Sequence, residues 1–330
     1  MKHQSVLTLA PLRISFIGGG TDINYFYKNS PGKVISAAIN KYVYVHIKNH
    51  DPLFQERYRI SYSEVEHTQS RAEIKNLIIK SCLELLNMDE PLQISTSSDL
   101  PASSGLGSSS SFTVALLLAL HQIEGRSVSP VQIAEEAAHV EISMLNSPIG
   151  KQDQYAAAFG GLNYYEFLSD DSVKIQPLLI PKSQSMSLLS NSLLLWTGEI
   201  RSATKVLQDQ KNNYHSKELN LINLTKLVDE FKLILSYMDE NLIELGKIIT
   251  DGWELKEKLS NLISTAQVKE IINEVKLQNC LGYKLLGAGG GGFVYALFDD
   301  LSEKYINKFP NRRSFIPRLD NGGARVVSSN

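Results

Sequence analysis

Apolar and polar residues alternate through Val6–Ser15 and again through Tyr42–Ile47 (YVYVHI), the two-residue period of a strand. Between them Gly18–Asp22 (GGGTD) breaks the pattern and predicts a turn or loop. Ile74, Leu77, Ile78, Cys82, Leu85 and Leu86 recur at helical spacing and predict a helix over Arg71–Asn87. Asp99–Ser111 (DLPASSGLGSSSS) has no period, and the apolar stretch after it runs to Ile123 and stops at Gly125. A loop feeding a helix N-terminus is expected there. Ser129 suits an N-cap, Pro130 the first helical position and Gln132 the reciprocal member of a capping box, opening a helix that ends near Leu145, before Pro148.

The texture changes beyond Pro181. A strand-like Ser192–Trp196 precedes long helical patterns between Ala203 and Glu274, in which Lys211–Glu218 reads as a solvated face. Two further strands, Tyr283–Leu286 and Phe293–Phe298, flank the glycines of Gly287–Gly292. The expectation is an α+β chain of two domains, 1–180 and 181–330, without internal repeats.

Composition narrows the function. The 330 residues hold 33 Lys+Arg against 35 Asp+Glu, a net charge of −2, and 43% are hydrophobic. That is enough for a sizeable core, and the charge balance offers nothing to nucleic acid or an anionic membrane. The longest purely apolar run, Val114–Leu120, is too short to span a bilayer, and Pro11 and Arg13 interrupt any signal-like core. Cys82 and Cys280 lie far apart, as idle thiols in a reducing compartment do. A cytoplasmic enzyme is expected.

Ser103–Ser111 (SSGLGSSSS) carries the strongest chemical signal. Gly105 and Gly107 let the backbone turn tightly and approach a ligand. The following helix offers unpaired N–H groups and its positive dipole end, and the serines add hydroxyls for phosphate or Mg²⁺. No Lys stands where a Walker loop needs one, and the protein-kinase HRD and DFG signatures are missing. Gly287–Gly292 (GAGGGG) matches a dinucleotide fingerprint only by spelling, because a strand follows it rather than a helix. Asp153, in the polar turn Pro148–Tyr155, reads as a cap or as a group that orients or deprotonates a hydroxyl, with Lys151 beside it to hold its charge. Glu141, near a helix C-terminus, reads as a solvated residue or a Mg²⁺ ligand, and Arg13 as an exposed strand charge or part of a site.

In order along the chain, these segments resemble the GHMP kinase family. Ala10-Pro11-Leu12-Arg13 with Gly18–Asp22 resembles its N-terminal sugar-side motif, Leu100-Pro101 through Ser111 its phosphate loop, and Lys284–Gly292 (KLLGAGGGG) its C-terminal glycine motif. Within the family, APLRISFIGGGTD, GKQDQYAAAFGG, TGEIRSA (197–203) and WELKEKLS (253–260) are most similar to the D-glycero-D-manno-heptose 7-phosphate kinase branch, with fucokinase domains next. The resemblance implies a ribosomal-S5-like N-terminal α/β domain, a ferredoxin-like C-terminal domain, and an active site in the cleft between them.

It also implies roles. Asp153 and Arg13 would be catalytic, and Pro101, Ser103, Ser104, Gly105, Leu106, Gly107, Ser108, Ser109 and Ser110 would hold ATP. Ser109 and Glu141 would bind Mg²⁺, though one more residue separates Glu141 from Asp153 than in the mevalonate-kinase branch. Gly20, Thr21, Asp22, Lys151, Arg201, Gly289 and Gly290 would contact the sugar, with Lys41, Lys151 and Arg201 the candidates for a substrate phosphate. The implied reaction is ATP- and Mg²⁺-dependent phosphorylation of the anomeric hydroxyl of heptose 7-phosphate, feeding nucleotide-activated heptose for surface polysaccharide. Its alternatives are a kinase for a free sugar, a sugar and ATP sensor without turnover, and a diphosphomevalonate decarboxylase. Small molecules are the only partners expected, and a monomer or a homodimer is compatible.

Overall fold

Two long antiparallel strands organise the molecule, β1 (Ser5–Ile17) and β2 (Gly32–Asn49), paired from Ser5↔Lys48 to Ile17↔Ile35. The computed structural model describes residues 3–179, 187–199, 203–237, 241–300 and 302–330. Both strands outrun the stretches where alternation shows in the sequence. From Thr8 onward β1 is buried on both faces, with Thr8, Arg13 and Ser15 as its buried polar positions.

β3 (Tyr58–Ser61), β4 (Val65–Thr68), β5 (Leu92–Ser98), β6 (Leu162–Phe167) and β7 (Val173–Pro177) complete most of an eight-stranded sheet. The first part of β2 pairs with β6 and its second part with β5. A four-stranded antiparallel sheet follows in the order β11 (Ser314–Phe315), β8 (Ser192–Trp196), β10 (Phe293–Leu297), β9 (Gly282–Leu285). The helices Leu242–Glu257 and Ala266–Leu277 pack on it. The last strand, β12 (Arg325–Ser329), returns to the first sheet beside β1.

The two faces of the first sheet bury separate cores. Val6, Ala10 and Val45 pack under the helices of the first half, whereas Leu12, Ile14 and Phe16 pack with Leu195, Val228, Trp253 and Tyr295. Strand alternation therefore turns Arg13 and Ser15 away from the Leu12–Ile14–Phe16 face.

Four local expectations change in the structure. The helix expected over Arg71–Asn87 is a 3₁₀ turn, Arg71–Glu73, followed by an α-helix only over Leu77–Leu85. It starts late because the Glu66 carboxylate accepts from the Lys75 and Asn76 amides, and Asn76 caps the Ile79 amide. Ser129 does cap the helix Pro130–Ala138, but the Gln132 side chain reaches forward, donating to Glu136, instead of back to accept from the Ser129 amide. That helix ends in a π-turn, His139–Met144, with Leu145 donating to the Val140 carbonyl five residues back. Asp153 lies not in a turn but in the first turn of the helix Gln152–Phe159.

Candidate active site

The helix Ser108–Ile123 begins directly after Gly107, whose φ of 79° is left-handed and whose missing side chain supplies no cap. Its first N–H groups therefore have no side-chain acceptor and point, with the helix dipole, toward the open end. Gly105, at φ 81°, crosses the second half of the chain: a Cβ there would lie 2.5 Å from the Leu286 carbonyl oxygen. The glycines of Gly287–Gly292 meet it from the other side, since Gly287 would clash with Gly105 and Gly292 with Ser104. Two glycine loops thus interlock and form one wall of a cavity of ≈ 340 Å³.

Ser103, Gly105, Gly107, Ser108, Ser109 and Ser110 line this cavity. Leu106 is instead part of the buried core, Pro101 is exposed, and the Ser104 hydroxyl is buried away from the cavity lining.

Arg13 is not exposed. Its side chain is 5% accessible, and it donates from Nε and Nη2 to both Asp153 carboxylate oxygens at 2.7 Å each and from Nη1 to the Gly105 carbonyl at 2.7 Å. Bidentate pairing of this kind fixes the carboxylate's plane as well as its charge. The N-terminus of its own helix adds favourable potential at Asp153. Lys151 was expected beside Asp153, but it turns outward, donating to the Asp171 carbonyl at 2.9 Å above the Tyr27 ring.

Glu141 is likewise buried rather than solvated. Its carboxylate accepts from Ser109 Oγ at 2.7 Å and from Gln154 Nε2 at 2.6 Å. Burial pushes its pKa up, and the hydrogen bonds from Ser109, Ser110 and Gln154 oppose that shift. The π-turn rotates Glu141 inward, so the helix-end argument made from sequence did not apply.

Asp22 closes the floor. It accepts from the Gly20 amide at 2.9 Å and from the Gln152 amide and side chain at 3.2 and 3.1 Å, while burial raises its pKa. Gly150 has no side chain because a Cβ would fall 1.9 Å from Asp22 Oδ2. Gly20 and Asp22 line the cavity, but Thr21 does not: its buried hydroxyl donates to the Gly18 and Lys33 carbonyls and holds the loop. Gly289 and Gly290 also stand outside the lining, packed on Ile263, where the Gly290 amide donates to its carbonyl at 2.8 Å. Lys41 lies over the Phe315 ring, and Arg201 falls outside the described residues.

The sequence reading missed two lysines that line the cavity. Lys256 Nζ donates to the Gly287 carbonyl at 2.7 Å, and burial pushes its pKa down to about 8 against the opposing pull of Asp22. Lys284 Nζ donates to the Ser15 and Phe16 carbonyls at 2.7 and 3.0 Å, tying β9 to β1; burial drives its pKa well down. A signal existed for Lys256, which shares a helical stripe with the buried Ile249 and Trp253.

An anion-ready helix N-terminus, a guanidinium-clamped carboxylate and a buried carboxylate–hydroxyl pair come together in one cavity, an arrangement suited to phosphoryl transfer. Family comparison agrees. Residues 76–161 match the GHMP kinases N terminal domain, and residues 231–311 match the GHMP kinases C terminal domain. The chain is 30% identical over 312 residues to a D-glycero-alpha-D-manno-heptose 7-phosphate kinase of Campylobacter jejuni, covering 92% of this chain and 91% of that protein. It is 26% identical over 354 residues to a galactokinase of Thermosipho africanus, covering 96% and 99%. A solved structure described as a D-glycero-D-manno-heptose 1-phosphate kinase from Bacteriodes thetaiotaomicron superposes with a TM-score of 0.78 at 24% identity, covering 98% and 99%. The chain belongs to the GHMP kinase family and is an ATP-dependent phosphotransferase of that family. Among the described residues no helix is long and apolar enough to cross a membrane.

Proposed function

We propose that this kinase phosphorylates the anomeric hydroxyl of D-glycero-D-manno-heptose 7-phosphate, giving the 1,7-bisphosphate in the cytoplasm. The observation that carries the reaction is the convergence of Asp153, Arg13, Glu141 and the N-terminus of the Ser108 helix on one cavity. The heptose comes from the similarity to the Campylobacter jejuni enzyme over nearly the whole of both chains. In this reading the helix N-terminus and the 103–110 loop hold the triphosphate. Asp153 aligns the acceptor hydroxyl with the γ-phosphorus, and Arg13 fixes that carboxylate while facing the transferring group.

Mg²⁺ fits the donor set. Glu141 and Ser109 supply one carboxylate and one hydroxyl 2.7 Å apart, and among the described residues no cluster of three His, Cys, Asp or Glu could hold a metal unaided. Such a pair suits an ion that completes its shell with phosphate oxygens and water. When bound there, Mg²⁺ would neutralise charge on the β- and γ-phosphates.

One observation favours a second reading, a kinase for a free sugar. Neither Lys41 nor Lys151 reaches the cavity, so neither is placed to receive a 7-phosphate. ADP release measured with ATP, Mg²⁺ and a panel of heptose 7-phosphate, mannose, fucose and galactose separates the two. Turnover restricted to heptose 7-phosphate supports the first reading, and preference for an unphosphorylated sugar replaces it with the second.

A further inference from the structure

Gly19 has no conformational need to be glycine, because its φ lies outside the left-handed range that disfavours side chains. Its surroundings are tight, though they do not forbid a side chain. A Cβ on Gly19 would stand 3.3 Å from Gln152 Nε2, 3.3 Å from Ser15 Oγ and 3.5 Å from Lys256 Nζ. Three polar groups from three separate elements therefore close on one spot: β1, the Gln152–Phe159 helix and the Leu242–Glu257 helix. Ser15, Gln152 and Lys256 all line the cavity.

All three have unused hydrogen-bonding capacity among the described residues. Among the described residues, the Ser15 hydroxyl and the Gln152 carbonyl oxygen are buried without a hydrogen-bond partner. Lys256 makes one hydrogen bond among the described residues, to the Gly287 carbonyl, and an ammonium has three protons to give. Leaving buried polar groups unpaired is costly, so such groups persist where a ligand completes them. The inventory is one cationic donor, one hydroxyl and one neutral acceptor. A phosphate offers nothing to the acceptor, whereas neighbouring sugar hydroxyls donate to Gln152 Oε1 and accept from Lys256 together.

We propose that Lys256, Ser15 and Gln152, gathered around Gly19, form a subsite for the hydroxyls of the acceptor sugar. The subsite rests on the sugar-kinase reading but not on heptose as the sugar. It places an acceptor-binding residue on the second half of the chain, opposite the Gly18–Asp22 loop.

Steady-state kinetics of Lys256→Met, Lys256→Arg, Ser15→Ala and Gly19→Ala test it, with acceptor and ATP varied separately on whichever sugar of the panel the wild type phosphorylates best. Lys256→Met is expected to raise the acceptor KM by roughly 10- to 100-fold, the equivalent of one charged hydrogen bond, with the ATP KM unchanged within about twofold. Lys256→Arg should recover part of that loss. Ser15→Ala and Gly19→Ala should each raise the acceptor KM by about 3- to 10-fold, and thermal unfolding checks that each variant is folded. An unchanged acceptor KM in both Lys256→Met and Ser15→Ala overturns the subsite, as does a rise in the ATP KM instead. A loss confined to phosphorylated acceptors makes Lys256 a phosphate receptor and overturns the hydroxyl assignment. Failure of the heptose reading appears separately, as wild-type preference for another sugar, on which the same variants are then compared.

Discussion

Gly105 and Leu286 meet back to back, with the Leu286 carbonyl oxygen only 2.5 Å from where a Gly105 Cβ would stand. Through this contact the second half of the chain sets the position of the 103–110 loop, which we propose holds the nucleotide. Gly105→Ala should therefore damage both fold and site. Left-handed backbone alone costs an alanine about 1–2 kcal/mol, before the overlap with Leu286 is relieved. The expectation is a Tm lower by at least about 3 °C and an ATP KM raised about tenfold or more, measured by thermal unfolding and by ATP titration. An alanine variant with wild-type ATP KM would show that the interlock does not position the loop.

Asp153 and Arg13 form a closed pair, so removing the Asp153 charge strands the guanidinium of Arg13 in a buried place. Asp153→Asn keeps shape and much of the hydrogen bonding. It is expected to lower kcat by roughly 10²- to 10⁴-fold while ATP binding changes little. Asp153→Ala should abolish turnover and also destabilise the fold by about 3–5 kcal/mol, because Arg13 is left unpaired. Single-turnover kinetics and equilibrium ATP binding separate these effects. Near-normal turnover in Asp153→Asn removes the residue from the chemistry.

Much of the site was legible because its parts are local in sequence. The 103–111 run announces a loop and a helix start through Gly105, Gly107 and four serines, and the structure places that helix at Ser108. What stayed hidden depends on long-range burial. Glu141 looked solvated because the π-turn that rotates it inward has no sequence signature, and Arg13 looked exposed because both faces of β1 are covered by distant segments. Lys151 misled in the opposite sense: adjacent to Asp153 by number, it is aimed at Asp171 by the helix start. Lys256 was the recoverable miss, a lysine in register with Ile249 and Trp253 that called for a buried partner.

The Glu141–Ser109 pair predicts how metal demand varies with pH. Burial raises the Glu141 pKa, so protons compete for this carboxylate at higher pH than for an exposed glutamate. For the metal-free fold, the stabilisation from its raised pKa is present at low pH and is lost as pH rises through that pKa. Metal binding needs the ionised form, so the Mg²⁺ concentration for half-maximal rate should increase as pH falls. Glu141→Gln should remove most of that dependence while raising the Mg²⁺ requirement by about tenfold or more. Rates measured against Mg²⁺ at several pH values check this, and an unchanged requirement in Glu141→Gln excludes the residue as a ligand.

Lys256 predicts an opposite, alkaline limb. Burial lowers its pKa to about 8, with Asp22 and Asp153 favouring the ammonium and Arg13 opposing it; Lys284, itself pushed well down, adds like charge whenever protonated. Below about pH 8 the ammonium is present to meet the acceptor; above it the charge is lost. The acceptor KM should hold level up to about pH 8 and climb beyond it, with the ATP KM level throughout. Stability moves the other way at this residue. Between about 8 and the ordinary lysine value of 10.5 the unfolded chain binds the proton more readily than the folded one, so its contribution to unfolding free energy rises with pH. Weaker acceptor binding without loss of fold over that window therefore belongs to Lys256, and Lys256→Arg should carry the break to higher pH. An acceptor KM that stays level to about pH 9.5 in the wild type shows that the Lys256 charge takes no part in holding the sugar.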